Sequence, residues 1–176
     1  MSAGGLARLD DAVDDAFDLL RGREPTDRVL YALTELADFS LLWHLIGWTR
    51  ALVDEHQLPA AVRLSVCLGV ESIVVNGLLK TVFRRERPVH QGSRPHRLRV
   101  PLTTSFPSGH ASSAVLAAML LADTSRVPAL WWTLAAGVAA SRIHVRIHHA
   151  SDVAGGVAVG LVLGTIARRA WPLDRS

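Results

Sequence analysis

Three short clusters hold most of the residues whose types and spacing could do chemistry. The first, Lys80-Thr-Val-Phe-Arg-Arg-Glu-Arg87-Pro88, closes an apolar stretch. A lysine point charge and an arginine fork suit one phosphate gripped from two directions, and Pro88 imposes an extended exit. At a helix end in a bilayer the same side chains would snorkel to head groups, so this cluster alone decides nothing. The second is Ser105-Phe-Pro-Ser-Gly-His110. Pro107 predicts a helix start, which would leave the amides of Ser108 and Gly109 as free donors facing an anion. His110 would sit at the rim, placed to give a proton to a departing oxygen. The third is Ser141-Arg142-Ile-His-Val-Arg-Ile-His148-His-Ala-Ser-Asp152. An arginine in an apolar helix calls for an anionic partner, which singles out Arg142. His148 and Asp152 are four apart and can touch on a helical turn. A carboxylate on one imidazole nitrogen fixes the tautomer and makes the other nitrogen more nucleophilic.

A metal reading competes for the third cluster, because His144 and His148 are also four apart and His149 follows. Zinc wants three or four convergent ligands. Arg142 and Arg146 would repel a cation, and neither a cysteine pair nor an HExxH run is present. The expectation is therefore no metal and no cofactor, with His144 and His149 in supporting places. The lone cysteine, Cys67, lies in an apolar run and reads as a small hydrophobe.

These clusters need elements to hold them. The chain has 176 residues and 49% hydrophobic content, enough for one domain with a sizeable core. Five apolar segments, at about 29–53, 60–82, 107–122, 127–146 and 151–170, are long enough for helices and for membrane spans. Pro59, Pro107 and Pro128 sit near segment starts, where a missing N–H costs little. A soluble all-α bundle is the alternative, and three features favour the membrane. No Asp, Glu, Lys or Arg occurs from Val100 to Ala122. Gly156, Gly160 and Gly164 recur at four-residue spacing, which allows close helix approach in lipid or a homo-oligomer contact. Trp131, Trp132 and Trp171 sit where interfacial anchors belong. The predicted fold is all-α: a membrane-embedded bundle of about five transmembrane helices.

Ahead of it, Leu6, Leu9, Val13, Phe17 and Leu20 recur at helical spacing among aspartates. That predicts an amphipathic helix over 6–20, whose acidic face is a poor match for anionic lipid and which therefore caps the protein. Gly22 and Pro25 mark a linker, so residues 1–28 are set apart from a domain at 29–176. No basic start runs into an apolar stretch, so no cleaved secretory signal is expected. The net charge of +3 hides an acidic start and a basic run from Arg84 to Arg99, suited to nucleic acid, lipid head groups or phosphate.

The three clusters satisfy Lys-x6-Arg-Pro, Pro-Ser-Gly-His and Ser-Arg-x5-His-x3-Asp in order and without mismatch. In this the chain resembles the type 2 phosphatidic acid phosphatase superfamily. The resemblance covers residues 80–152 and implies a haloperoxidase-like helical core and a metal-independent phosphatase. His148 would be the nucleophile that forms a phosphohistidine, Asp152 its orienter and His110 the acid. Lys80, Arg87, Arg142 and the amides of Ser108 and Gly109 would hold the phosphoryl oxygens. Short chains of this kind resemble the membrane lipid phosphatases, which implies a lipid phosphate substrate, membrane lipids as partners and no nucleic acid. A polyprenyl-phosphoryl sugar phosphate or a phospholipid phosphate would suit. An undecaprenyl or decaprenyl pyrophosphate, a catalytically silent lipid-binding protein and a soluble hydrolase stay as alternatives. The Ala-, Arg- and Val-rich composition looks like that of a high-GC bacterium, and the membrane expected is the bacterial inner membrane. The excess of arginine at 84, 85, 94, 97 and 99 suggests a cytoplasmic active-site face. The loop from His90 to Thr104 is where the lipid would be told apart.

Overall fold

A computed structural model describes residues 3–89 and 94–173, and every regular element among them is helical. The elements are α1 (Ala3–Asp18), α2 (Glu24–Leu36), α3 (Leu41–Val53), α4 (Leu58–Ser72), α5 (Lys80–Val82), α6 (Gly109–Asp123), α7 (Pro128–His144) and α8 (Ala150–Ala170). Pro25, Pro59 and Pro128 each stand in the first turn of a helix, where no intrahelical donor is lost.

The bundle is built around α6. Every residue from Ala111 to Leu121 is buried, and α3, α4, α7 and α8 pack around it. A helix enclosed on all sides must be apolar all round, which explains the charge-free run into Ala122. Cys67 is half-buried against this core. The glycine stripe resolves in favour of internal packing. A Cβ at Gly156 would lie 2.3 Å from the Ser108 carbonyl oxygen, and one at Gly160 would lie 2.5 Å from that of Ser112. At Gly164 it would meet the Met119 sulfur at 2.5 Å. All three glycines are buried and bring the α8 backbone against α6, so this face is not open for a second copy.

The segment expected to run unbroken over 29–53 is two helices bent by 65°. Phe39 and Ser40 take positive φ at the break, a conformation that ends the α-helical hydrogen-bond run and that L-residues rarely adopt. A second irregularity helps the site: α4 continues through a π-helical stretch, Ile73–Leu79, into α5. Such bulges rephase the side chains that follow, and this one sets Asn76 and Lys80 opposite Gly109.

Two helices, Glu55–Val82 and Ala150–Ala170, are long and apolar enough to cross a membrane, and the bent α2–α3 pair makes a third if taken as one span. This falls short of the five expected. The 15 residues of α6 and 17 of α7 reach only roughly 22 and 26 Å at 1.5 Å per residue.

The amphipathic helix is present, but it does not simply turn its acids outward. Val13 and Phe17 pack towards the core, Leu6 and Leu9 are exposed, and Asp10 is buried. At the opposite end of the bundle, buried Arg63 reaches Asp123 at 2.8 Å and the Trp171 carbonyl at 3.1 Å. Arg168 reaches Asp123 at 2.8 Å as well. The two chain ends thus mark opposite poles of the bundle, with α1 at the pole described next.

Candidate active site

Five helix ends converge at one pole. α3, α6 and α8 begin there and α5 and α7 end there, around a cavity of about 350 Å³ whose walls include Lys80, Gly109, His110 and His148. The N-termini of α6 and α8 and the cationic side chains favour an anion there, beside Asp38 and Glu71 on the same wall.

His148 is buried, on the loop between α7 and α8. Arg87 Nη1 lies 3.2 Å from its Nε2 and donates to the Ile147 carbonyl at 2.9 Å. A guanidinium only donates, so Nε2 is the unprotonated nitrogen and Nδ1 carries the ring proton. Nδ1 faces Asp152, but at 3.8 Å, beyond hydrogen-bonding distance. The buried Ser105 hydroxyl lies between them, donating to Asp152 Oδ2 at 2.5 Å and 3.4 Å from Nδ1. The direct contact expected from the four-residue spacing is therefore a relay through Ser105. The reason is local: His148 precedes α8, while Asp152 sits in its first turn and accepts the His149 amide at 2.8 Å. One carboxylate caps the helix and faces the histidine. Burial, with the nearby Asp152 opposing and Arg142 and Arg87 adding to it, holds the His148 imidazole below its ordinary range.

Lys80 is buried, with Nζ donating to Asn76 Oδ1 at 2.9 Å and Thr103 Oγ1 at 3.2 Å. Arg87 is held by the carbonyls of Thr103 and Thr104 at 3.0 and 3.2 Å. Arg142 is fully buried. Its Nη1 donates to Thr34 Oγ1, while Nε and Nη2 have no hydrogen-bond partner. Buried donors on a guanidinium are costly to leave unmade, so this arginine is built for an acceptor that comes and goes.

At the α6 N-terminus the two expected amides part company. Ser108 is the cap residue, and its N–H is already taken by the Asp152 carbonyl at 3.0 Å. Its hydroxyl accepts the Ala111 amide at 3.4 Å. The Ser108 amide is thus not the free donor that the helix start suggested. The Gly109 amide, in the first turn, keeps that character. A Cβ on Gly109 would stand 4.0 Å from Lys80 Nζ, so this glycine borders the cation directly. His110, on the cavity wall, has Nε2 2.9 Å from Asp38 Oδ1. The approach is close without the alignment of a formed hydrogen bond. His144 stands apart, with Nε2 2.7 Å from Asp27 Oδ1, and ties α7 to α2.

The structure thus gathers Lys80, Arg87, Gly109, His110, Arg142, His148 and Asp152, and puts the Ser108 amide to a different use. Sequence reasoning missed Ser105, Thr34, Asn76, Thr103 and the pairing of Asp38 with His110. Asp38 carried a signal as an acid in an apolar segment, and Ser105 stood inside the second cluster. Thr34, Asn76 and Thr103 carried none. Of the loop expected to tell lipids apart, residues 90–93 lie outside those described, while Arg99, Pro101 and Thr103 line the cavity.

A half-open cavity with Lys80, Arg87 and Arg142 set about an unprotonated imidazole nitrogen, in an all-helical apolar bundle, defines a phosphate-handling membrane protein. Residues 60–175 match the PAP2 superfamily, and the chain belongs to that family. It is a phosphoric ester hydrolase. It is 37% identical over 127 residues to the decaprenylphosphoryl-5-phosphoribose phosphatase of Mycobacterium tuberculosis, a match covering 70% of this chain and 71% of the relative. The protein of that name from Mycolicibacterium smegmatis is 34% identical over 128 residues, 71% of this chain and 68% of the relative. Among solved structures, the transmembrane PAP2 type phosphatidylglycerolphosphate phosphatase from Bacillus subtilis superposes with a TM-score of 0.73. That match has 23% identity and covers 96% of this chain and 87% of the other. At that identity the likeness speaks for the fold.

Proposed function

We propose that the chain removes the terminal phosphate from a polyprenyl-phosphoryl sugar phosphate through a phosphohistidine on His148. The observation that carries this is Arg142: fully buried, with two unpartnered donors, at the same pole as Lys80, Arg87 and the Gly109 amide. Four such donors are complementary to a phosphoryl group whose oxygens gain charge in transfer. The His148 Nε2 lone pair attacks phosphorus while the bond from phosphorus to the ester oxygen breaks. His110 gives that oxygen its proton and Asp38 holds the ring. Water then attacks phosphorus, His110 takes a proton from it, the N–P bond breaks, and inorganic phosphate leaves. Arg87 moves from Nε2 to a phosphoryl oxygen when substrate binds, which frees the nucleophile.

The sugar phosphate reading rests on the names of the relatives at 34–37% identity. The bent α2–α3 pair, α4 with its extension, α6, α7 and α8 form five crossings, because their ends alternate between the poles. α1 is an attached helix; the linker expected up to residue 28 is shorter, because α2 already begins at Glu24 and its buried Asp27 ties it to the domain that follows. Exposed Arg84, Arg97 and Arg99 near the site favour a cytoplasmic face of the bacterial inner membrane. The test is turnover by purified protein in detergent on a panel: decaprenylphosphoryl-5-phosphoribose, phosphatidylglycerophosphate, phosphatidate and decaprenyl pyrophosphate. Preference for the first supports the proposal. Preference for the pyrophosphate, or no turnover of any of them, overturns it.

A further inference from the structure

Asp10 lies fifty residues ahead of the segment that matches the family, yet it is among the most heavily bonded side chains near the site. Its Oδ1 accepts the Ser151 amide at 2.8 Å, and its Oδ2 accepts the Ser151 hydroxyl at 2.8 Å and Arg85 Nη2 at 2.7 Å. The other arm of the same guanidinium, Arg85 Nη1, donates to Asp152 Oδ1 at 2.8 Å and to Ser151 Oγ at 2.6 Å. Asp10 and Asp152 are buried, at 3% and 0% side-chain exposure, with Arg85 between them at 29%. An arginine fork shared by two buried carboxylates has fixed geometry, and here one carboxylate belongs to α1 while the other faces the histidine relay.

We infer that Asp10 and Arg85 are positioning residues for the reaction, setting through Asp152 the orientation and basicity of His148. Asp152 spends one oxygen on Arg85 and the other on Ser105 and the His149 amide, so its direction is fixed on every side. Asp10 takes up part of the Arg85 charge, and Asp152 thereby keeps enough negative field to act on the imidazole. The acidic face of α1 is thus the outer wall of the catalytic machinery. Further along that face, Asp14 and Asp18 pair with Arg146 at 3.1 and 2.8 Å, and Arg21 binds the carbonyls of Ile143 and His144 at 2.8 Å. Together these dock the helix on the loop that carries His148. Burial opposes ionisation of Asp10, but Arg85 and Ser151 outweigh it and hold the carboxyl below its ordinary range.

The charges facing His148 fix the sign of the test. The cations are Arg85 and Arg87 from the segment after α5, Lys80 from α5 itself, Arg142 from α7 and Arg99 on the cavity wall. The acids are Asp152 from α8 and Asp10 from α1, with Asp11 and Asp14 lining a cavity beside His148 and His149 and Asp38 and Glu71 on the wall of the larger one. His110 faces it from α6, and none of these further groups changes in the variants. Asp10→Asn removes a negative charge and strengthens the hold of Arg85 on Asp152, so protonation of His148 becomes harder. Arg85→Met removes the cation and makes it easier.

This inference rests on His148 as the nucleophile. The experiment measures kcat and KM against pH for the full-length protein in detergent, with the panel substrate it turns over best and melting temperatures recorded. For Asp10→Asn, kcat falls roughly tenfold or more with KM nearly constant. The acidic limb of kcat/KM moves down by about half a pH unit or more. For Arg85→Met that limb moves up, and the double variant returns towards the wild-type limb. Asp10→Glu recovers part of the lost kcat. Limbs that stay put in both variants, or move in the same direction, overturn the inference, as does a loss of kcat that follows the melting temperature alone. His148→Ala separates the two levels: turnover retained there removes the nucleophile reading itself, whereas an inactive His148→Ala with unmoved limbs removes only the role of Asp10 and Arg85.

Discussion

Ser105→Ala is the substitution that probes the site's geometry most finely. The Ser105 hydroxyl is fully buried and links Asp152 Oδ2, at 2.5 Å, to His148 Nδ1, at 3.4 Å. Without it the two groups face each other across 3.8 Å, with no bulk water to fill in. Asp152 stays anchored by Arg85 and the His149 amide, both at 2.8 Å, so the fold and the phosphate cradle survive. The loss is one hydrogen bond to a charged group, about 1.5–3 kcal/mol. At about 1.4 kcal/mol per decade of rate, that corresponds to a fall in kcat of roughly 10- to 150-fold. KM should hardly change, because Lys80, Arg87, Arg142 and Gly109 are untouched. Steady-state release of inorganic phosphate, paired with a burst measurement of phosphoenzyme, reads both quantities. Ser105→Thr keeps a hydroxyl and should lie between the two. A Ser105→Ala enzyme within about twofold of wild type would refute the relay and leave a direct contact between His148 and Asp152 as the operative one.

Other perturbations test separate parts of the account. His110→Ala should slow an alkyl phosphate by roughly 10²- to 10⁴-fold, the usual contribution of a general acid, and a nitrophenyl phosphate much less; equal losses on both would remove its role as proton donor. Gly156→Ala would drive a Cβ to 2.3 Å from the Ser108 carbonyl oxygen. It should lower the melting temperature in detergent and the yield of folded protein, with a cost of about 1–3 kcal/mol from overpacking. An unchanged melting temperature would show that α8 can move off α6 freely.

Much of this site was written in residue types. Arg142 in an apolar helix, the short spacing from His148 to Asp152 and the glycine before His110 each follow from a single physical requirement that sequence spacing displays. What spacing could not display was where the helices begin. The α8 start falls between His148 and Asp152, so the two are not successive turns of one helix, and Ser105, far away in sequence, fills the gap. Likewise the Ser108 amide is consumed by the Asp152 carbonyl, a partner 44 residues away that no local pattern announces. Asp38 and Thr34 reach the site because the chain bends at Phe39 and Ser40, two residues with no glycine-like signature for positive φ. The N-terminal helix was legible as amphipathic, but its hydrophobic pattern could not tell that Asp10 turns inward, because the compensating Arg85 lies 75 residues on. The span count met a different problem: α6 is apolar because protein surrounds it, whereas α7 keeps Leu130 and Trp132 exposed, and composition alone does not separate the two cases.

Trapping the phosphorylated protein tests the central claim most directly. Purified protein, incubated in detergent and EDTA with the panel substrate it turns over best, ³²P-labelled in its terminal phosphate, and quenched during turnover, should carry label that is acid-labile and alkali-stable, as a phosphoramidate is. His148→Ala should carry none, and His110→Ala should retain it longer than wild type when charged from a substrate with a good leaving group. Label that persists in His148→Ala, or turnover without any labelled intermediate, would contradict nucleophilic catalysis at His148. Loss of all turnover in EDTA would contradict a mechanism that runs on Lys80, Arg87 and Arg142 alone.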